Sequence, residues 1–167
     1  MRTLTIALFA LCTSSLAAQT GAVAGIGTIY GVAKGNLIKA AEQMPETDYS
    51  FKATPEVRSF GQLVGHVANA NYMFCAMALG EKSPNSTDIE KTTAKAGLVQ
   101  ALKDSFTYCD KAYAISDADG TASVDLFGMK TNKIGVLSFN SAHDMEHYGN
   151  IVTYMRLKGM VPPSSQR

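Results

Sequence analysis

The sequence lacks the motifs that identify several common enzyme classes, and it is poor in histidine. It contains no glycine-rich phosphate loop, no H-E-x-x-H zinc motif and no G-x-S-x-G nucleophile motif. These absences argue against P-loop nucleotide chemistry, a zinc protease of the H-E-x-x-H type and an α/β-type serine hydrolase. Only three histidines occur among the 167 residues, namely His66, His143 and His147. Any site built on histidine must use these three.

The chain also lacks an excess of charge of either sign. Its 15 basic residues face 14 acidic ones, and the two signs alternate along the chain without forming a basic block. A protein that binds nucleic-acid phosphates needs clustered lysine and arginine. A nucleic-acid partner is therefore not expected.

The first 18 residues have the features of a secretory signal peptide. Arg2 supplies the positive start, residues 4–11 form an apolar run too short to span a bilayer, and small residues follow at 15–18. We predict a signal peptide at residues 1–18 and one domain at residues 19–167, exported to the periplasm or the cell exterior without a stable membrane anchor. Cys12 falls within the predicted peptide. The alternative is that these residues form a first helix buried in the fold.

Apolar periodicity predicts four helices in the remaining chain. The first covers residues 22–44, with a buried stripe at Ile29, Val32, Ala33, Leu37 and Ala41. Gly27, Gly31 and Gly35 lie along this helix, which indicates close packing within the bundle or across a dimer, so a homodimer stays open.

Local signals set the bounds of the other helices. Ser59 and Gln62 form a capping box before the second helix, which Gly80 ends. The third helix follows a polar connection of about residues 81–93 and ends near Asp117, and the fourth covers about residues 133–157, ended by Gly159. Residues 44–58 are expected to wrap around the bundle, since Tyr49 and Phe51 need cover, and residues 117–132 to form a loop with a strand-like insert.

The histidine spacing predicts a metal site. His143 and His147 are four residues apart, so on a helix they share one face about 6 Å apart along the axis. His66 on the second helix is the only other histidine that could complete a three-imidazole set. The alternatives are that His143 and His147 form a pair on the surface without binding a metal, or that the histidines are ordinary residues of the core.

Four neighbouring polar residues bear on this hypothesis. Asn69 and Asn140 either orient the imidazoles or make ordinary hydrogen bonds between helices. Asp144 and Glu146 point away from the two-histidine face by helical phase, so both are expected to be solvated. No catalytic residue is identified.

Two segments resemble the DinB-like (damage-inducible) family of metalloenzymes, namely MPETDYSFKATPEVRSFGQLVGH and FNSAHDMEHYGNIVTYMRLKGMVPP. With the residues between them they cover nearly all of residues 19–167. The resemblance implies an all-α four-helix bundle of up-down-down-up topology. It also implies a divalent metal held by one histidine from the second helix and two from the fourth, here His66, His143 and His147. The wider superfamily includes thiol-dependent transferases and isomerases, which the expected export disfavours because reduced thiols are scarce outside the cytoplasm.

These observations favour a metal-dependent enzyme. Three neutral imidazoles leave a fourth position for water or substrate, which suits hydrolysis or group transfer on a small-molecule substrate. Imidazole binds Zn, Ni and Fe alike, so the metal is not identified. The alternatives are an exported, non-catalytic bundle that binds a metal or small ligand, and a purely structural bundle.

The distance between Cys75 and Cys109 depends on the topology of the bundle. Each lies near the C-terminal end of its helix, the second and third respectively. If those helices are parallel, as the resemblance requires, the two residues sit at similar heights and a disulfide is sterically possible. If the helices are diagonal neighbours, both cysteines remain separate buried thiols. A tight hairpin between antiparallel helices would separate them by about 20 Å or more.

Overall fold

The computed structural model describes residues 21–166, so the predicted signal peptide at residues 1–18 lies outside the described residues. Four long helices dominate: α1 (Ala22–Gln43), α2 (Phe60–Leu79), α3 (Lys95–Ala112) and α5 (Lys133–Leu157). A short helix, α4 (Asp117–Gly120), and an antiparallel hairpin of β1 (Ser123–Leu126) and β2 (Met129–Asn132) precede α5. The predicted all-α four-helix bundle is confirmed.

The predicted capping residues of α2 have the predicted roles. Ser59 and Gln62 form both hydrogen bonds of a capping box at the start of α2, and Gly80 ends it with a left-handed φ of 75°. Helix α3 ends at Ala112, earlier than predicted. The reason is that the side chain of Ser116 accepts a hydrogen bond from the backbone N–H of Asp119 and caps the separate helix α4.

Helices α2 and α3 run parallel. Leu98, near the start of α3, packs against Gly61, near the start of α2. Near the opposite ends, Cys75 and Cys109 form a disulfide with their Cα atoms 5.2 Å apart. The two helices are therefore direct and not diagonal neighbours, and the alternative of two separate thiols does not apply.

Helix α1 and helix α5 complete the up-down-down-up topology. Lys34 of α1 forms an ion pair with Asp110 near the end of α3, whereas Lys95 at the start of α3 donates to the carbonyl oxygen of Met44 just after α1. Helix α1 is thus antiparallel to α3. On α5, Phe139 near the N-terminus packs against Phe74 near the C-terminal end of α2, so α5 is antiparallel to α2.

The predicted buried stripe of α1 is wrong in part. Ile29 and Val32 are 54% and 55% exposed, whereas Ala33, Leu37 and Ala41 are buried as predicted. Tyr30 sets the orientation of the helix, because its ring stacks on Tyr113 with centroids 3.8 Å apart and its hydroxyl donates to the carbonyl oxygen of Phe106.

The glycines of α1 do not pack closely within the bundle. A Cβ at Gly31 or Gly35 would meet no heavy atom within 4 Å, and one at Gly27 would meet only a ring carbon of Tyr113, at 4.0 Å. Of the two readings of this glycine stripe, packing inside the bundle is therefore wrong, and packing across a dimer stays a prediction.

The segment after α1 covers one end of the bundle, as predicted. Tyr49 is buried, and its hydroxyl donates to the carbonyl oxygen of Ala41 at 2.5 Å. Phe51 packs edge-on against Tyr154 of α5. No helix within residues 21–166 combines the length and the hydrophobicity needed to cross a membrane.

Candidate metal centre

The fold brings all three histidines to one point between α2 and α5. The Nε2 atom of His143 lies 3.3 Å from Nε2 of His66 and 3.0 Å from Nε2 of His147. One nitrogen from each ring lies within 4.8 Å of a nitrogen of each other ring. His147 is 7% exposed, and the other two are half-buried.

The environment favours neutral imidazoles. Burial, followed by the proximity of His147 and His66, lowers the pKa of His143 to about 4. Burial is also the main cause that lowers the pKa of His147. Only the neutral form of imidazole can offer a lone pair to a metal, so both shifts keep these side chains in the ligand form near neutral pH.

The spacing of the three rings fits a single cation. Two imidazoles bound to one Zn²⁺ at tetrahedral angles would place their nitrogens about 3.3 Å apart, close to both separations seen at His143. Hydrogen bonds alone explain the cluster less well. A neutral His143 carries at most one proton on Nε2, yet this atom lies within hydrogen-bonding distance of two other Nε2 atoms. Three lone pairs directed at one ion would satisfy all three rings.

Glu90 is the partner that the sequence reasoning missed. Its Oε1 atom lies 2.7 Å from Nδ1 of His66, and its Oε2 atom accepts a hydrogen bond from Nε of Arg58 at 3.0 Å. A carboxylate on Nδ1 keeps the proton there and leaves Nε2 of His66 free for a metal. Glu90 lies on a 3-10 turn, Ile89–Lys91, within the polar connection between α2 and α3.

Gly65 allows this turn to approach α2. A Cβ at Gly65 would come within 2.8 Å of the Cα atom of Glu90 and within 2.9 Å of its backbone nitrogen. The missing side chain therefore makes room for the backbone of Glu90 one residue before His66. This glycine, directly before a candidate ligand, is the only sequence signal that could have pointed to the contact.

Asn69 forms hydrogen bonds with the same turn and not with an imidazole. Its Oδ1 atom accepts a hydrogen bond from the backbone N–H of Ile89 at 3.1 Å, and its Nδ2 atom donates to Asp88 at 2.9 Å. Asn140 donates to the hydroxyl of Tyr113 at 3.1 Å and contacts none of the three histidines by hydrogen bond. Neither asparagine therefore orients an imidazole by a hydrogen bond: Asn140 makes a bond between helices, as one of the two alternatives expected, whereas Asn69 bonds the turn and not another helix.

The outer nitrogens of the other two rings differ. The Nδ1 atom of His147 lies 3.4 Å from the side-chain amide of Asn150. The Nδ1 atom of His143 is buried without a hydrogen-bond partner among residues 21–166. Within the described residues, His66 is the one ring of the three that hydrogen-bonds to a carboxylate, and this contact fixes its orientation.

The expectation that Asp144 is solvated is wrong. Asp144 is completely buried, and burial raises the pKa of its carboxyl group well above the usual range. Its Oδ2 atom accepts a long hydrogen bond of 3.4 Å from Asn140, and its Oδ1 atom has no hydrogen-bond partner in the part of the chain that the structure describes. Helix α5 packs against both α1 and α2, so the face away from the histidines meets the core and not solvent. Glu146 is exposed, as expected.

Two cavities flank the histidine cluster. One, of about 430 Å³, is mostly apolar, and its lining includes Met73, Phe74, Phe127 and Phe139 together with His66 and His143. The other, of about 550 Å³, lies beside His147 and is polar, with Glu56, Arg58, Glu146 and Asn150 in its lining. The cluster is thus accessible from an apolar side and from a polar side.

Comparison with known proteins agrees with this architecture. The chain is 26% identical over 127 residues to the uncharacterized protein YjoA of Bacillus subtilis (strain 168), covering 71% of this chain and 79% of that protein. The crystal structure of a DinB-like protein from Bacillus cereus ATCC 10987 superposes with a TM-score of 0.73 at 18% identity, covering 83% of this chain and 94% of that one.

Two further solved structures share the fold. The crystal structure of YjoA from Bacillus subtilis gives a TM-score of 0.65 at 21% identity and covers 86% of this chain and 99% of that one. A point mutant of the mycothiol-dependent maleylpyruvate isomerase gives 0.67 at 14% identity and covers 77% of this chain and 60% of that one. The family model for the DinB superfamily matches residues 32–151. Since this match spans well over half of the chain, the protein belongs to the DinB superfamily.

Proposed function

We propose that the protein is a metal-dependent enzyme in which His66, His143 and His147 bind one divalent cation. The observation that carries the proposal is the convergence of three imidazole nitrogens, with Nε2 of His143 at 3.3 Å from His66 and 3.0 Å from His147. Zn, Ni and Fe all accept such a ligand set, and the two separations do not distinguish among them.

Neighbouring residues would hold the histidines in the orientation and protonation state that metal binding needs. Glu90 would hold the proton of His66 on Nδ1, since its Oε1 atom lies 2.7 Å from that nitrogen. Arg58 would in turn fix the carboxylate through its contact with Oε2. The low pKa of His143 would keep its ring unprotonated near neutral pH. These contacts reduce the rearrangement needed when the metal binds.

The reaction class follows from the ligand set. His66, His143 and His147 are neutral ligands, so a divalent cation bound by them would keep its full charge and would supply polarisation of a carbonyl, ester or thiol group. Hydrolysis or group transfer on a small-molecule substrate fits this chemistry. The polar cavity beside His147, lined by Glu56, Arg58 and Glu146, offers a route for water. A solved structure with the same fold is a mycothiol-dependent isomerase, but the proposed export disfavours a reduced-thiol cofactor for this chain.

A specific observation favours a second candidate, a non-catalytic protein that binds a metal or a small ligand. Glu90, the carboxylate that contacts the histidine cluster, is already engaged by His66 and Arg58. It is therefore not free to take a proton from a substrate. Under this alternative the site would bind its ligand without turnover.

Export stays part of the proposal. The signal-like residues 1–18 motivate it, and the Cys75–Cys109 disulfide is compatible with an oxidising compartment. The partners proposed are a small-molecule substrate and, through the glycine stripe of α1, of which Gly31 is exposed, a second copy of the chain. Neither nucleic acid nor a membrane anchor is included.

The two candidates, an enzyme and a non-catalytic binding protein, differ in whether the protein shows metal-dependent turnover. Purified protein would be screened against ester, amide and thiol-transfer substrates before and after chelation, and again after restoration with Zn²⁺, Ni²⁺ or Fe²⁺. The enzyme proposal expects a rate that is lost on chelation and recovered with one of these ions. Stoichiometric metal binding without any turnover would favour the binding protein, and turnover that survives complete metal removal would contradict the metal-dependent mechanism.

A further inference from the structure

The apolar cavity next to His66 and His143 has exposed apolar walls. Phe127 is 61% exposed, and Met73 and Phe139 are each 40% exposed. Large apolar side chains grouped at a concave surface are typical of binding sites, because leaving them in water is unfavourable. The volume of about 430 Å³ suits a small molecule.

The aromatic rings form a continuous wall that reaches the histidines. The ring of Phe74 lies 5.7 Å from the ring of His143, 5.2 Å from that of Phe139 and 6.0 Å from that of Phe127, measured between centroids. All three pairs are edge-to-face. A planar ring bound in this cavity would pack against the edges and faces of these phenyl rings, and a substituent on it would reach the histidine cluster.

The backbone at the tip of the hairpin holds Phe127 in an unfavourable conformation. Leu126 pairs with Met129, and the two residues between them, Phe127 and Gly128, have φ values of 55° and 84°. Two positive φ values are the pattern of a type I′ turn, whose first position favours asparagine over a bulky aromatic residue. Strain of this kind is typical of functional positions, and here it places a phenyl ring at the rim of the cavity.

Charge distinguishes the two cavities. Of residues 21–166, no lysine, arginine, aspartate or glutamate lines the apolar cavity, whereas Glu56, Arg58 and Glu146 line the polar one. We infer that the substrate carries an aromatic or similarly flat apolar group, which binds among Met73, Phe127 and Phe139 while its reacting group meets the histidine cluster. This inference rests on the proposed metal-dependent function.

A pair of metal-directed probes tests the inference. Acetohydroxamate and benzohydroxamate present the same chelating group but differ in a methyl versus a phenyl substituent. Calorimetry on Zn²⁺-loaded protein should give benzohydroxamate an affinity about 10- to 100-fold higher, because its phenyl ring is buried in the cavity. Equal affinities would overturn the assignment of an apolar pocket. Failure of both probes would instead count against the metal site.

Matched variants locate the effect. The double variant Phe127→Ala/Phe139→Ala should lose most of the preference for benzohydroxamate and keep its affinity for acetohydroxamate. The control, Ile29→Ala/Val32→Ala, removes two equally exposed apolar side chains from α1, away from the cavity, and should keep the preference. A preference retained in the Phe127/Phe139 variant would overturn the inference.

A metal-free measurement keeps the pocket testable if the metal site fails. The fluorescence of 1-anilinonaphthalene-8-sulfonate should rise with chelated wild-type protein, remain with the α1 control and fall with Phe127→Asn. Because asparagine suits the type I′ turn, Phe127→Asn should also raise the melting temperature by about 1–3 °C, which separates lost binding from unfolding. Dye binding unchanged in Phe127→Asn would contradict the inference without bearing on the metal.

Discussion

Glu90 and His66 form the contact that orients the histidine cluster: Oε1 of Glu90 lies 2.7 Å from Nδ1 of His66. Gly65 makes this contact possible, since a side chain there would collide with the backbone of Glu90. The two residues are 24 positions apart in the chain. A polar loop thus contributes directly to a site whose other members lie on helices.

Removing this contact should weaken metal binding. Glu90→Gln should reduce the affinity for Zn²⁺ by about 10- to 100-fold, because the carboxylate no longer fixes the His66 tautomer or raises its basicity. Competition with a chromophoric chelator measures the affinity. Gly65→Ala should act in the same direction by displacing the turn. Glu56→Gln, in the polar cavity, is the control, and an equal loss there would show that general charge and not the Glu90–His66 contact matters.

Metal retention should depend on pH. Ligating imidazoles must be neutral, so protons compete with the ion as the pH falls. Because the pKa of His143 is lowered to about 4, this histidine resists protonation below the ordinary histidine range. Metal content after dialysis should therefore be complete at pH 7 and fall between about pH 6 and pH 4. Full retention at about pH 3.5 would indicate ligands other than histidine.

The buried Asp144 should make the protein less stable at higher pH. A carboxyl group whose pKa is raised on folding stabilises the folded state fully below its ordinary value near 3.8, and this contribution is lost as the pH rises through the raised value. Asp144→Asn should therefore unfold at a higher temperature than wild type at pH 8, with a smaller difference at pH 4.

A surface carboxylate provides the comparison for Asp144. Asp110 is 47% exposed and pairs with Lys34, so Asp110→Asn should not be stabilising at pH 8. Thermal unfolding of the metal-free proteins across this pH range would reveal the effect. If Asp144→Asn were clearly less stable than wild type at pH 8, the carboxylate would be ionised and stabilised in the folded state.

The disulfide should contribute strongly to stability. Cys75 and Cys109 close a loop of 34 residues, for which chain entropy gives about 3–4 kcal/mol. Cys75→Ala/Cys109→Ala should lower the free energy of unfolding by roughly this amount in urea, and reduced wild type should behave similarly. Mass spectrometry on non-reduced protein from a periplasmic preparation would identify the bond. Two free thiols in that preparation would contradict the disulfide.

The sequence predicts the fold well because its signals are local. The capping box at Ser59 and the glycine after α2 are formed by neighbours in the chain, so their effect does not depend on the rest of the fold. The clustering of the three histidines was also predictable, since a helix of period 3.6 places His143 and His147 on one face and His66 is the only other histidine in the sequence. Residues whose role depends on distant partners were harder to assign.

The errors have physical reasons. Helical phase shows that Asp144 is not on the histidine face, but it does not reveal that α1 covers the other side of α5. Helix α1 has more apolar residues than one face can bury. Periodicity alone therefore could not show that Tyr30 lies on the buried face and that Ile29 and Val32 are exposed. Glu90 lies in a polar turn without periodicity, and only the tertiary fold brings it to His66.

Elemental analysis of protein purified without an affinity tag tests the central claim, that three histidines bind one divalent cation. Wild type should contain about one ion per chain after purification. His143→Ala should lose nearly all of it, because the remaining two imidazoles rarely hold a labile ion against water, and His66→Ala and His147→Ala should behave alike. Wild-type-like metal content in all three variants, or no stoichiometric metal in the wild type, would contradict the claim.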